Sequence, residues 1–152
     1  MKKFFLTIMG LIAVTTSSFA GSIWKGDNKI ALGGYDVVAY HTSHAAMRGG
    51  KAFSYEYKGD TFYFSSSENK KLFEKNPLKY LPKYDGYCAF AVAKMNKKVP
   101  PSPETFKIHN GQLLLFFNDF WEGAPLNTIV PWNQEEEALY SLAEKNWEKL
   151  SK

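Results

Sequence analysis

Few side chains in this chain could do chemistry. Cys88 is the one cysteine, and the donors that could join it are His41, His44, Met47 and His109. Thiolate, imidazole and thioether are the ligands preferred by Cu(I), and thiolate with imidazole also suits zinc. A lone thiol outside the cytoplasm is exposed to oxidation unless it is buried, metal-bound or used. Three readings of Cys88 therefore stand. It is an inert thiol buried beside Ala89 and Phe90, or a soft-metal ligand paired with His41 and supported by His44 and Met47, or a reactive redox thiol. His109, next to a turn, reads as a solvent-facing hairpin residue. Tyr35, Tyr40, Tyr84 and Tyr87 form a second candidate set, lining a pocket for a small ligand or partner. The chain lacks a phosphate-cradling glycine loop, a paired-cysteine motif, a paired-histidine zinc helix and a hydrolase serine elbow. Those absences argue against the common enzyme classes and make a non-enzyme the expectation.

The elements that must position these groups follow from periodicity. Phe53, Tyr55 and Tyr57 alternate with polar residues, Lys58-Gly59-Asp60 breaks the run, and Phe62 and Phe64 alternate again, which predicts a hairpin with one aromatic face. Ser65 and Glu68 have capping-box spacing and predict a helix over 66–75 that lays Leu72 and Phe73 on that hairpin. Asp36 to Tyr40 reads as a short buried strand that delivers His41 into a polar loop running to Gly50. Asn76-Pro77 starts a short helical turn carrying Leu78 and Leu81. Tyr84 to Tyr87 is a turn, and Cys88 to Ala93 is a buried strand or a short helix. Val99 to Pro103 is a stiff extended connector. Thr105–His109 and Gln112–Phe117 flank Asn110-Gly111 and predict a second hairpin, with Ile108 opposite Leu113 and Phe106 opposite Leu115. Leu114 and Phe116 then need cover on the other face. A C-terminal helix capped by Asn133, with a stripe of Leu139, Leu142, Ala143, Trp147 and Leu150, supplies it. Phe120-Trp121 and Ile129 to Trp132 read as loop anchors.

The stretch Tyr57-Lys58-Gly59, Thr61 to Ser66, Asn69, Leu72-Phe73, Asn76-Pro77 and Lys79-Tyr80, preceded by Gly34 to Tyr40 and followed by Gly86 to Ala89, resembles the YHS domain. The likeness spans about residues 30–92 and includes features of an exported subfamily. It implies a metal-related setting, since related domains occur in heavy-metal ATPases and beside metal-handling modules. The cysteine ligands presumed there have no counterpart here, because Ala39, Ser65 and Ser66 stand in the corresponding regions. The resemblance thus supplies the metal idea, and the residues supply only compatibility with it.

Lys2 and Lys3, the apolar run Phe4 to Val14 and the small residues Ser18-Phe19-Ala20 form an export signal, too short to span a bilayer comfortably. The mature chain is expected to begin near Gly21, to be periplasmic or secreted, and to have no further membrane association. Net charge is +4 before the signal is removed, and Lys94 to Lys98 is the one basic cluster, which reads as a solvated loop rather than a nucleic-acid face. The expected mature protein, residues 21–152, is one α+β domain of two antiparallel hairpins, a short central helix and a C-terminal helix. Its leading functional expectation is a metal-binding or metal-handling accessory protein loaded with copper or zinc. The alternatives are a small-ligand or partner-binding module with a structural cysteine, and a thiol-dependent redox protein.

Overall fold

The computed structural model describes residues 22–152, so the expected signal segment lies outside the described residues. The fold is α+β, as expected. The first hairpin pairs β1 (Gly50–Tyr57) with β2 (Asp60–Phe64), placing Tyr55 opposite Phe62. Helix α2 (Ser67–Lys75) packs on its aromatic face through one residue. Phe73 is fully buried and meets the rings of Tyr55, Tyr57, Phe62 and Phe64, whereas Leu72 turns outward. The cap is displaced by one residue from the expected position. Ser66 accepts from the Asn69 amide, and Ser65 is drawn away to donate to Asp36.

Asp36 to Tyr40 is not a strand. The Asp36 carboxylate accepts from the amides of Val38 and Ala39 and starts the short helix α1 (Ala39–Thr42) instead. An aspartate that can satisfy two backbone donors outweighs the β-preference of two valines. Helix α3 (Pro77–Tyr80) follows α2 directly with proline in its first turn, and Leu78 is exposed while Leu81 packs on the core. The Tyr84–Gly86 turn puts three successive residues in the left-handed region, and helix α4 (Ala89–Met95) begins after Cys88. Of the two forms expected for Cys88 to Ala93, the helix is the one formed.

The second hairpin, β3 (Ser102–His109) with β4 (Gln112–Phe116), has the expected register: Ile108 faces Leu113 and Phe106 faces Leu115. It is the wall between two cores. Leu113 and Leu115 join Val37, Tyr40, Phe62, Phe64 and Phe73 on one side, while Leu114 and Phe116 join Trp132, Leu139 and Ala143 on the other. The cover on that second side comes from α5 (Ile129–Gln134) and α6 (Glu136–Leu150). Two details differ from the expected helix. Leu142 is 42% exposed because it sits at the margin of the stripe set by Leu139, Ala143 and Leu150. Asn133 lies within α5 and accepts from Lys107, so it caps nothing.

A third hairpin, β5 (Asn118–Trp121) with β6 (Ala124–Asn127), occupies the stretch expected to be loop. Pro125 and the absence of a buried face conceal it in the sequence, because a strand exposed on both sides has no alternation to read. Trp132, expected as a loop anchor, is a fully buried core residue on α5. Among the described residues no helix is long and apolar enough to cross a membrane.

Candidate functional site

Cys88 is fully buried at the start of α4. Thr128 has one hydroxyl proton, and it is donated to the Phe117 carbonyl at 2.9 Å. The Cys88 Sγ lies 3.4 Å from Thr128 Oγ1, and the Phe117 amide donates to both, at 3.3 Å to Sγ and 3.1 Å to Oγ1. A thiol so engaged ties α4 to the end of β4 and to the start of α5. Phe90, Met95, Trp121 and Leu126 close an apolar cavity of about 50 Å³ over it. We expect Cys88 in the native protein to resist a thiol-specific chromogenic reagent and to react only at the rate of global unfolding. Stoichiometric labelling within seconds under native conditions would contradict this placement.

His41 lies elsewhere. Its ring packs edge-on against Tyr80 at 5.4 Å, and its buried Nε2 has no hydrogen-bond partner. Burial holds the imidazole below its ordinary range, the Lys79 ammonium acts in the same direction, and the Tyr80 backbone opposes them. Cys88 lies against Phe117 and Thr128 and His41 against Tyr80, so the two members of the expected thiolate–imidazole pair direct their hydrogen bonds and ring contacts to different partners. His44 and Met47 stand on the exposed loop after α1. Among the described residues no three or more of His, Cys, Asp and Glu converge as a metal shell. The donors present do not fit a soft-metal centre built on Cys88 and His41. His109 is not solvent-facing either: its Nδ1 is 3.4 Å from Glu136, its ring lies 5.0 Å from Tyr140, and its side chain is 12% exposed.

The four tyrosines separate in the same way. Tyr40 is buried, donates to the Pro103 carbonyl, and has its phenol pushed upward by desolvation. Tyr84 is buried on the opposite side, where burial and then the Glu144 carboxylate that accepts its hydroxyl raise its pKa. Tyr87 lies under the Lys98 ammonium. Of the four, Tyr35 lines an open cleft among the described residues.

That cleft, of about 360 Å³, is lined by Trp24, Gly26, Asp27, Asn28, Gly33, Tyr35, Arg48 and Pro103. Its volume lies in the range usual for small-molecule sites. Four observations explain how it holds its shape. The strap carrying Trp24 is pinned by backbone bonds from Trp24 to Asp85 and from Leu32 to Trp24. Asp60, buried on β2, clamps the start of the strap through Lys25, Ser22 and the Ile23 amide. Gly26 and Gly33 form the floor so closely that a Cβ on Gly26 would lie 2.9 Å from the Gly33 Cα. Arg48 stacks its guanidinium 4.0 Å above the Tyr35 ring and donates from Nη1 to the Gly33 carbonyl. Tyr35 in turn donates to Glu104 at 2.8 Å, and burial followed by that bond raises its pKa.

Of these residues, sequence reasoning singled out only Tyr35. Arg48 falls inside the polar loop that runs to Gly50. One signal was available: Arg48 is the single arginine in a chain whose other basic side chains, histidines aside, are lysines. A planar, always-charged fork is not a substitute for lysine where geometry matters. No curated protein and no solved structure matches the chain. The model of one family, the YHS domain, does match residues 38–84, a segment that holds Arg48, the first hairpin, α2 and α3 and stops at Tyr84.

Proposed function

We propose that this is an exported, non-catalytic binding module that holds a small molecule in the cleft between Trp24 and Arg48. The observation that carries the reading is the cleft itself: aromatic walls, a backbone floor and an arginine fixed by two partners converge on one space. Such sites owe their selectivity to a few well-placed polar groups in a mostly pre-formed cavity. Cys88 then has a structural role, in keeping with its bonds to Thr128 and Phe117. A metal-handling role, which the YHS domain suggests, would need donors other than a Cys88–His41 pair.

The test is a pair of titrations followed by amide NMR on the mature protein. A panel of small charged and aromatic fragments is expected to shift Gly26, Gly33, Arg48 and the Trp24 indole. Chelator-buffered Cu(I) and Zn(II) are expected to leave the Cys88 and His41 amides in place. Stoichiometric metal shifts at Cys88 and His41, with a fragment panel that moves nothing in the cleft, would replace this reading with the metal one.

A further inference from the structure

Resting on that reading, we infer that the cleft selects a zwitterion of amino-acid size. Its carboxylate meets Arg48, its ammonium faces Asp27, and its flat or apolar part lies against Trp24. The argument begins with charges that are present and unspent. Arg48 and Asp27 line the same space, yet neither takes part in an ion pair among the described residues. Glu104 is already engaged, since one of its carboxylate oxygens accepts the Tyr35 hydroxyl.

Each simpler class of ligand leaves something uncompensated. A neutral molecule entering the cleft would displace water from a guanidinium and a carboxylate and return nothing to either. A plain anion would gain Arg48 but approach the Asp27 carboxylate, with no lysine in the lining to offset it. That arrangement makes a poor phosphate site. A plain cation would gain Asp27 and meet Arg48. Only a ligand carrying both charges pairs both residues, and discrimination of this kind works as much by repelling the wrong ligand as by attracting the right one.

Arg48 is suited to the carboxylate end. Its stacking on Tyr35 and its bond to Gly33 fix the plane of the fork while using one of its five N–H groups on Gly33, so a bidentate contact to a carboxylate stays possible. Tyr35 is buried beneath Arg48, so Trp24 is the aromatic wall of the same cleft that suits a flat side chain.

Phenylalanine, N-acetylphenylalanine and phenylalaninamide make the decisive set, because they share one ring and differ only in which charge is kept. The readout is the Trp24 indole resonance, assigned with Trp24→Phe. Phenylalanine is expected to bind, and each blocked derivative to bind about ten-fold more weakly, the loss expected for one hydrogen bond to a charged group. Arg48→Gln should abolish the preference for phenylalanine over the amide, and Asp27→Asn its preference over the acetylated form. If Arg48→Gln does not fold, the comparison of the three compounds on the wild-type protein still decides. Equal affinity for phenylalanine and either derivative would overturn the zwitterion and leave a binding cleft. No movement of the Trp24 resonance by any of the three would overturn it too, and a silent fragment panel would then remove the cleft reading as well.

Discussion

Asp36→Ala is expected to lower the free energy of unfolding by about 3–5 kcal/mol, the cost of breaking a buried polar network. Asp36 is completely buried and has no cationic partner among the described ion pairs. Its compensation is entirely in hydrogen bonds: one carboxylate oxygen accepts from the amides of Val38 and Ala39, the other from the Ser65 amide, the Ser65 hydroxyl and the Asn69 side chain. One side chain thereby fixes the start of α1 to the end of β2 and to the first turn of α2. Alanine would strand those donors in a dry site. Asp36→Asn, which keeps the volume but turns an amide NH₂ toward N–H groups, should cost nearly as much. Urea denaturation of the wild type and both variants measures it. A loss below about 1 kcal/mol for both, the size of a single ordinary hydrogen bond, would show that the network is not formed.

Phe73→Ala should cost a similar amount, about 3–5 kcal/mol, by removing the one side chain that α2 buries and leaving a cavity among Tyr55, Tyr57, Phe62 and Phe64. Leu72→Ala next to it is the control. That side chain is exposed, so its loss should stay within about 0.5 kcal/mol. Similar midpoints for the two variants in thermal or urea unfolding would mean that α2 is not seated on the hairpin as described.

The contrast between Leu72 and Phe73 shows what a sequence can and cannot specify. The second hairpin was legible because two independent signals agree there: a period of two in Phe106, Ile108, Leu113 and Leu115, and an Asn-Gly turn that fixes which residues face each other. The cover over Leu114 and Phe116 was legible for the same reason, since alternation leaves a second apolar face that something must bury. Helical stripes are less sharp. Leu72 and Leu142 are apolar and near the right angle, but each lies just outside the arc that its neighbours bury.

The opening segment was misread because Val37 and Val38 favour strand locally, while the decisive partner of Asp36 lies far along the chain at Ser65. The Asp36 bonds to the Val38 and Ala39 amides are local and could be read, whereas the anchor at Ser65 leaves no short-range trace. The candidate site was less legible still. Its walls come from Trp24, Tyr35, Arg48 and Pro103, which share no spacing and are brought together by the pairing of Arg48 with Tyr35 and by the backbone bonds of Trp24 with Asp85 and Leu32. Cys88 and His41 drew attention through their chemistry, and chemistry without placement could not say that one would pack against Phe117 and Thr128 and the other on Tyr80.

The three hairpins have one more implication, for the order in which the chain acquires its structure. Each is a two-stranded sheet, with β4 also taking single bridges from Pro82 and Cys88, and each closes on a two-residue turn whose residues are both left-handed: Lys58-Gly59, Asn110-Gly111 and Glu122-Gly123. Closing so small a loop costs little entropy, and isolated ribbons of this kind form in about 1–10 μs. The ribbons can therefore precede the cores, and the slow events are the distant ones: Asp36 finding Ser65, and Cys88 finding Phe117 and Thr128. Because no described sheet grows beyond a pair, early species do not wait on a central strand from elsewhere in the chain.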